Sequence, residues 1–202
     1  MGKCYSKCDR GQRNKSDFYQ TPYSITKALL KKEFFSKKRI ILEPACGRSA
    51  ITYVLIENEY SVEQYDKFHR LIHIKKDFLK EDRLYKYIIT NPPYSLANEF
   101  IKKAMEICTN KFAFLLPLNY LQGQKRYDNN IWCNQEEEFE LVRVHVFTRM
   151  PTLKNTIRSD GKFETGMQAY AWFVWERKIY CRLTPIISWI DCKDMVVRKN
   201  EI

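Results

Sequence analysis

No window of this chain approaches the run of about eighteen apolar residues that a membrane-spanning helix requires. The first residues also lack the apolar core of a secretory signal, so an exported chain is not expected. There is no internal repeat, no low-complexity linker and no break in composition that would mark a domain boundary. The 202 residues are therefore expected to form a basic flexible arm (1–16), one domain (17–190) and a short tail (191–202). The seven cysteines are odd in number and lack the second tight pair of a zinc site. Cys4 and Cys8, with His69 and His73 as the nearest imidazoles in spacing, do not make a convincing ligand set, so no metal is expected. Reduced thiols and cytoplasmic localisation follow as expectations. Met1-Gly2-Lys3-Cys4 fits an acylation pattern, but Lys3, Lys7, Arg10, Arg13 and Lys15 punctuate a polar stretch that reads more simply as a mobile basic arm.

Positive charge and apolar surface are what the chain does have. A formal charge of +11 favours a polyanionic partner, nucleic acid first. With 45% apolar residues, it can bury a sizeable core. Thr21-Pro22 predicts a helix start, threonine at the N-cap and proline at the first helical position, followed by an apolar stripe of Ile25, Ala28, Leu29 and Phe35. A short strand is expected over 39–44, a turn at Cys46-Gly47-Arg48-Ser49, and a helix over 50–58. Strands over 61–65, 73–76 and 85–90 follow, the first ending at Asp66 and the second, a weak one, at Asp77-Phe78-Leu79. Ser95 predicts a second N-cap, ahead of the amphipathic series Leu96, Ala97, Phe100, Ile101, Ala104, Met105 and Cys108. The run 112–116 is wholly apolar, and 141–147 and 168–175 are two further strands with no helix between them. The expected fold is α/β: a mostly parallel seven-stranded sheet with an antiparallel edge hairpin and helices on both faces.

Asn91-Pro92-Pro93-Tyr94 stands at the end of the strand over 85–90. Two prolines fix φ and remove two backbone donors, so the turn is a stiff ledge at a strand's carboxyl end. It offers the Asn91 side-chain oxygen, the Pro92 carbonyl and the face of Tyr94. Two acceptors beside a stacking surface suit a planar group bearing an NH2; an ordinary Asn-Pro turn is the alternative. Upstream, Glu43-Pro44-Ala45-Cys46-Gly47-Arg48-Ser49 follows the first strand, and Gly47 permits close approach of backbone to a ligand. Asp66 lies 19 residues after Gly47, the spacing at which a carboxylate meets ribose hydroxyls in nucleotide-binding folds.

These segments together, with Asp17-Phe18-Tyr19-Gln20-Thr21-Pro22 before them, resemble the class I S-adenosylmethionine-dependent amino methyltransferases, and in particular the compact DNA adenine-N6 methyltransferases of phages and prophages. The resemblance covers residues 17–94 in motif order and continues less specifically through Leu115-Leu116-Pro117, Gln122-Gly123-Gln124-Lys125-Arg126 and 171–175. It departs at Ser49, where the family usually has a second glycine. The resemblance implies a Rossmann-like methyltransferase fold, S-adenosylmethionine as cofactor, and a host cytoplasm if the chain is viral. It implies cofactor contacts from Tyr19, Thr21, Glu43, Pro44, Ala45, Cys46, Gly47, Asp66, Asp77, Phe78 and Asn91, with Glu43 toward the cofactor's ammonium and Phe78 alongside its adenine. Asn91, Pro92, Pro93 and Tyr94 would form the catalytic ledge, on which a flipped adenine stacks. Phe147 or Phe163 is the expected second stacking ring. Lys125, Arg126, Arg149, Lys154, Arg158 and Lys162 are candidate phosphate contacts, with solvated loop charges as the plainer reading. RNA adenine, a protein glutamine and a catalytically inactive nucleic-acid-binding protein stay open as alternatives.

Overall fold

Alternation of apolar residues along the strands sends side chains into two separate layers. A computed structural model of the chain describes residues 21–68, 74–149, 168–178 and 184–192. Among these, eight strands form one sheet: β1 (Ile41–Glu43), β2 (Val62–Gln64), β3 (Tyr85–Thr90), β4 (Cys108–Pro117), β5 (Cys133–Asn134), β6 (Phe139–Phe147), β7 (Tyr170–Arg177) and β8 (Ile186–Ile190). Their order is β2-β1-β3-β4-β7-β6-β5, with β8 also paired to β6. The first four are parallel, β7 runs antiparallel to both β4 and β6, and β8 runs parallel to β6.

The mostly parallel sheet and the β6–β7 hairpin are as expected; the strand inventory is not. The strand expected over 73–76 shrinks, among the described residues, to a single bridge between Asp66 and Lys75. Its one apolar residue there, Ile74, is 54% exposed, so no buried face holds a ladder together. The two-residue β5 and the edge strand β8 are additions, which gives eight strands rather than seven.

One layer holds Ile41, Tyr87, Ile89, Ala113, Leu115, Trp172 and Val174 against Ile25, Leu29, Ile51 and Leu55 of helices α1 (Tyr23–Lys32) and α2 (Ala50–Glu57). The other holds Leu42, Ile88, Phe112, Phe114, Phe173 and Trp175 against Phe100, Ile101, Ala104 and Met105 of α3 (Ala97–Ile107). Strand β7 serves both layers, and its two tryptophans are tied off on opposite sides. Trp172 Nε1 donates to the Ile25 carbonyl at 2.9 Å, and Trp175 Nε1 donates to the Ile131 carbonyl at 2.9 Å.

Two helix starts differ from expectation. Pro22, not Thr21, is the N-cap residue of α1, its carbonyl accepting from the Ile25 N–H at 3.0 Å. Ser95 lies inside a 3-10 turn (Tyr94–Leu96) closed by Leu96 N–H on the Pro93 carbonyl at 2.9 Å, so α3 begins only at Ala97. In the expected tail, Cys192 is still buried and its N–H donates to Thr148 Oγ1; residues 193–202 and the arm 1–16 lie outside the described residues.

The amino-terminal edge of the sheet carries a buried ionic network. Glu33 receives Lys111 Nζ at 2.7 Å, Arg143 Nη2 at 2.9 Å and His145 Nε2 at 2.9 Å, while His145 Nδ1 meets Ser188 Oγ at 2.7 Å. Glu176 closes it through Lys111 at 3.3 Å and Arg143. Burial alone would raise the Glu33 pKa; hydrogen bonds from His145, Arg143 and Lys111 outweigh it and hold the carboxyl at about 2.

Candidate active site at the carboxyl edge of the sheet

Because β1 to β4 are parallel, their carboxyl ends share one edge, and antiparallel β7 brings its amino end there too, Tyr170 lying opposite Pro117. Strand order reverses between β1 and β3, which opens the crevice where open α/β sheets bind ligands. Nearly every described candidate sits on this edge.

The turn after β1 is held from behind. Glu43 is buried, and its Oε2 accepts from the Thr52 N–H at 2.8 Å and from the Thr52 hydroxyl. Burial first, and the nearby Asp66 charge, push its carboxyl up to about 8 against the Thr52 hydrogen bonds. This differs from a carboxylate facing a ligand's ammonium: Glu43 fastens the turn to α2. Thr52, which the sequence reading passed over, is signalled only as a polar residue within an apolar helix. The peptide itself turns through two left-handed residues, Gly47 at φ 54° and Ser49 at φ 62°. Ser49 thus adopts the backbone conformation that glycine at the same position would adopt without strain. Cys46 N–H donates to the Tyr65 carbonyl at 3.2 Å, and burial together with the Glu43 and Asp66 charges raises the Cys46 thiol well above its usual range.

Asp66 clips the same turn from the side. Its Oδ2 accepts from Gly47 N–H at 3.0 Å and its Oδ1 from Phe68 N–H at 2.7 Å. Asp77 accepts from Leu79 N–H at 3.2 Å and pairs with Lys67 at 2.8 Å; burial opposes but does not overcome these, and its pKa is lowered. Phe78 differs from expectation. It is buried in the core against Phe100, ring centres 4.8 Å apart, and presents no face to the crevice.

Asn91 leaves β3 at this edge, and its Nδ2 donates to Thr21 Oγ1 at 3.1 Å. Amide oxygen and nitrogen share one plane and one carbon, so fixing Nδ2 fixes the direction of Oδ1. Tyr94 packs between both core layers, its ring 5.9 Å from that of Tyr170 at 37°. Tyr170 is thus the aromatic beside the ledge. Phe147, one of the two residues expected there, is buried in the α1–α2 layer; its strand's residue parity turns it inward. The antiparallel course of β7 is as expected; its insertion between β4 and β6 is what brings Tyr170 here.

Of the basic candidates, Lys125 and Arg149 are exposed, Arg149 directly after β6 at the same edge. Arg126 is engaged within the fold. Tyr19, Lys154, Arg158, Lys162 and Phe163 lie outside the described residues. Among the described residues no cluster of metal-binding side chains occurs, and no helix is long and apolar enough to cross a membrane.

No protein-family model matches the chain, and no curated protein sequence does either. Solved structures do match. A Pyrococcus horikoshii protein provisionally assigned as an RNA methyltransferase aligns with a TM-score of 0.57 at 13% identity, over 80% of this chain and 87% of that one. A Listeria monocytogenes protein provisionally assigned as a class I S-adenosylmethionine-dependent methyltransferase gives 0.57 at 12% identity, over 84% of this chain and 63% of that one. Magnesium protoporphyrin IX methyltransferase from Synechocystis, solved with S-adenosylmethionine bound, gives 0.52 at 10% identity, over 77% of this chain and 76% of that one.

The fold is that of the class I methyltransferases. Within this methyltransferase fold the assigned substrates of the neighbours range from RNA to a porphyrin, so the fold does not choose the substrate. The choice rests on side chains at the carboxyl edge.

Proposed function

We propose that the chain transfers a methyl group from S-adenosylmethionine to the N6 amino group of adenine in DNA. The observation that carries the reading is the anchoring of Asn91 by Thr21 at the carboxyl end of β3, beside the β1–β3 crevice and next to the Tyr94–Tyr170 pair. It joins the two sequence segments, 70 residues apart, whose resemblance to adenine methyltransferases is most specific. The crevice fits the cofactor in part. The left-handed turn at Gly47 gives close backbone approach, Asp66 lies just beyond β2 and Asp77 just beyond its bridge partner Lys75; Glu43 and Phe78 face inward and would act through the shape of the turn. When bound, S-adenosylmethionine supplies an electrophilic methyl group.

The ledge does the rest. The adenine N6 lone pair is delocalised into the ring and is a poor nucleophile. With the Asn91 Oδ1 and Pro92 carbonyl accepting its two hydrogens, the nitrogen moves toward tetrahedral geometry and its lone pair turns out of the ring plane. A neutral amide is no general base, so Asn91 positions and stabilises, and the methylated nitrogen loses its proton to solvent. A paired base cannot reach a strand-end ledge, so the adenine is extruded and stacks on Tyr94, an interaction worth about 1–3 kcal/mol.

Labelled-methyl transfer to DNA, RNA and protein substrates tests the reading. Asn91→Ala should lower transfer to DNA by about 100- to 1,000-fold while cofactor binding, read by calorimetry, persists. Undiminished transfer by that variant would remove the catalytic assignment, and transfer only to RNA or protein would replace the substrate.

A further inference from the structure

Arg126 looks from the sequence like a loop cation offered to phosphate, and the structure uses it otherwise. It stands in the five-residue α4 (Gln124–Asp128). Its Nη1 donates to the Gln122 carbonyl at 2.5 Å and the Asn119 carbonyl at 3.3 Å, and its Nε donates to Asn98 Oδ1 at 3.3 Å. The guanidinium carbon Cζ lies 4.0 Å from the centre of the Tyr120 ring. Tyr120 is buried, and its hydroxyl donates to the Tyr94 carbonyl at 2.6 Å, while its own carbonyl receives Trp132 Nε1 at 3.0 Å. Gly123 fits the same arrangement. It sits at φ 127°, and a Cβ there would lie 3.0 Å from Arg126 Nη1. The loop after β4 thus closes around the guanidinium, and the closed loop holds the backbone of the ledge through one phenol.

We propose that Arg126, through Tyr120, is a positioning residue that fixes Tyr94 where it receives the target base, rather than a phosphate contact. A phosphate contact needs charge reaching outward. A brace needs the planar fork, with donors in three fixed directions and a face for stacking, which lysine cannot copy. Arg126 has the second kind of environment. The inference rests on the methyltransferase reading for its kinetic consequence, but its structural part does not.

Conservative substitution separates the two roles. Arg126→Lys keeps the charge and loses the fork. It should lower kcat about 10-fold with little change in KM for an adenine-containing oligonucleotide, and should leave the salt dependence of binding as in wild type. Tyr120→Phe and Gly123→Ala should reproduce that pattern, and Arg126→Lys combined with Tyr120→Phe should cost little more than either alone. A kcat restored by Arg126→Lys, together with a salt slope reduced by about one contact in Arg126→Met, would overturn the proposal and return Arg126 to the phosphate backbone. Independently of turnover, fluorine NMR of 3-fluorotyrosine-labelled protein, with the Tyr94 resonance identified by Tyr94→Phe, should show that signal shifted in Arg126→Lys and in Tyr120→Phe. An unmoved Tyr94 signal in both folded variants refutes the brace. A moved signal in a protein whose wild type transfers no methyl group keeps the brace and refutes the proposed function.

Discussion

The two edges of the sheet handle charge in opposite ways. At the amino-terminal edge, Glu33 and Glu176 meet Lys111, Arg143 and His145 in a closed network, and the Glu33 carboxyl is held at about 2. At the carboxyl edge, the buried acid Glu43 meets a hydroxyl and an N–H, and its carboxyl is pushed up to about 8. One edge holds its buried acid by pairing it with cations; the other holds its buried acid with neutral donors, while Lys67 pairs with the less buried Asp77. Under the proposed function, a site that admits a cationic cofactor beside a neutral base gains from the second arrangement. A structural seam gains from the first.

Breaking the seam should give the largest effect. Glu33→Gln leaves Lys111 and Arg143 to share Glu176, a change expected to cost about 3 kcal/mol in chemical denaturation. A loss below about 1 kcal/mol would mean that solvent already reaches the network.

The pH response sharpens the contrast, because its sign differs between edges. Glu33 is lowered from 4.5 to about 2, so its stabilisation is complete above pH 4.5 and drains as pH falls toward 2. Glu43 is raised from 4.5 to about 8, so the folded chain retains a proton that the unfolded chain releases. Its contribution is complete below pH 4.5 and drains as pH climbs toward 8. Glu43→Gln should therefore flatten the loss of stability between pH 5 and 8, a slope of about 1.4 kcal/mol per pH unit where the difference is fully developed. An unchanged slope in that variant would assign the alkaline loss elsewhere. Smallest in size is Ser49→Gly. It replaces a left-handed serine at φ 62° with the residue that adopts this conformation freely, and should raise stability by about 0.5–1 kcal/mol in thermal melts. A lower melting temperature would show that the serine side chain holds the turn.

Strands and helices with clear periodicity were legible: the run over 85–90 is β3 residue for residue, and α3 follows its amphipathic series. Local chemistry at strand ends was legible as well, since Asn91, Asp66 and the Gly47 turn all reach one edge. What escaped depends on contacts distant in sequence. Thr21 reads as an N-cap because Thr-Pro is a helix start, yet its hydroxyl is taken by Asn91. Arg126 reads as a free cation because nothing nearby in sequence announces Asn98 or the Tyr120 ring. Phe78 reads as a ligand contact because it follows Asp77, and only the position of Phe100 shows that it belongs to the core.

The divided tryptophans of β7 have a practical consequence. Trp172 is bonded to α1 in one layer and Trp175 to the loop before β5 in the other, and both are almost wholly shielded from water. Each indole therefore senses solvent entry on its own side of the sheet. With Trp132 and Trp189 replaced by Phe, proteins that keep Trp172 alone or Trp175 alone give two optical channels, and any lag between them during unfolding measures how independently the two halves of this molecule come apart.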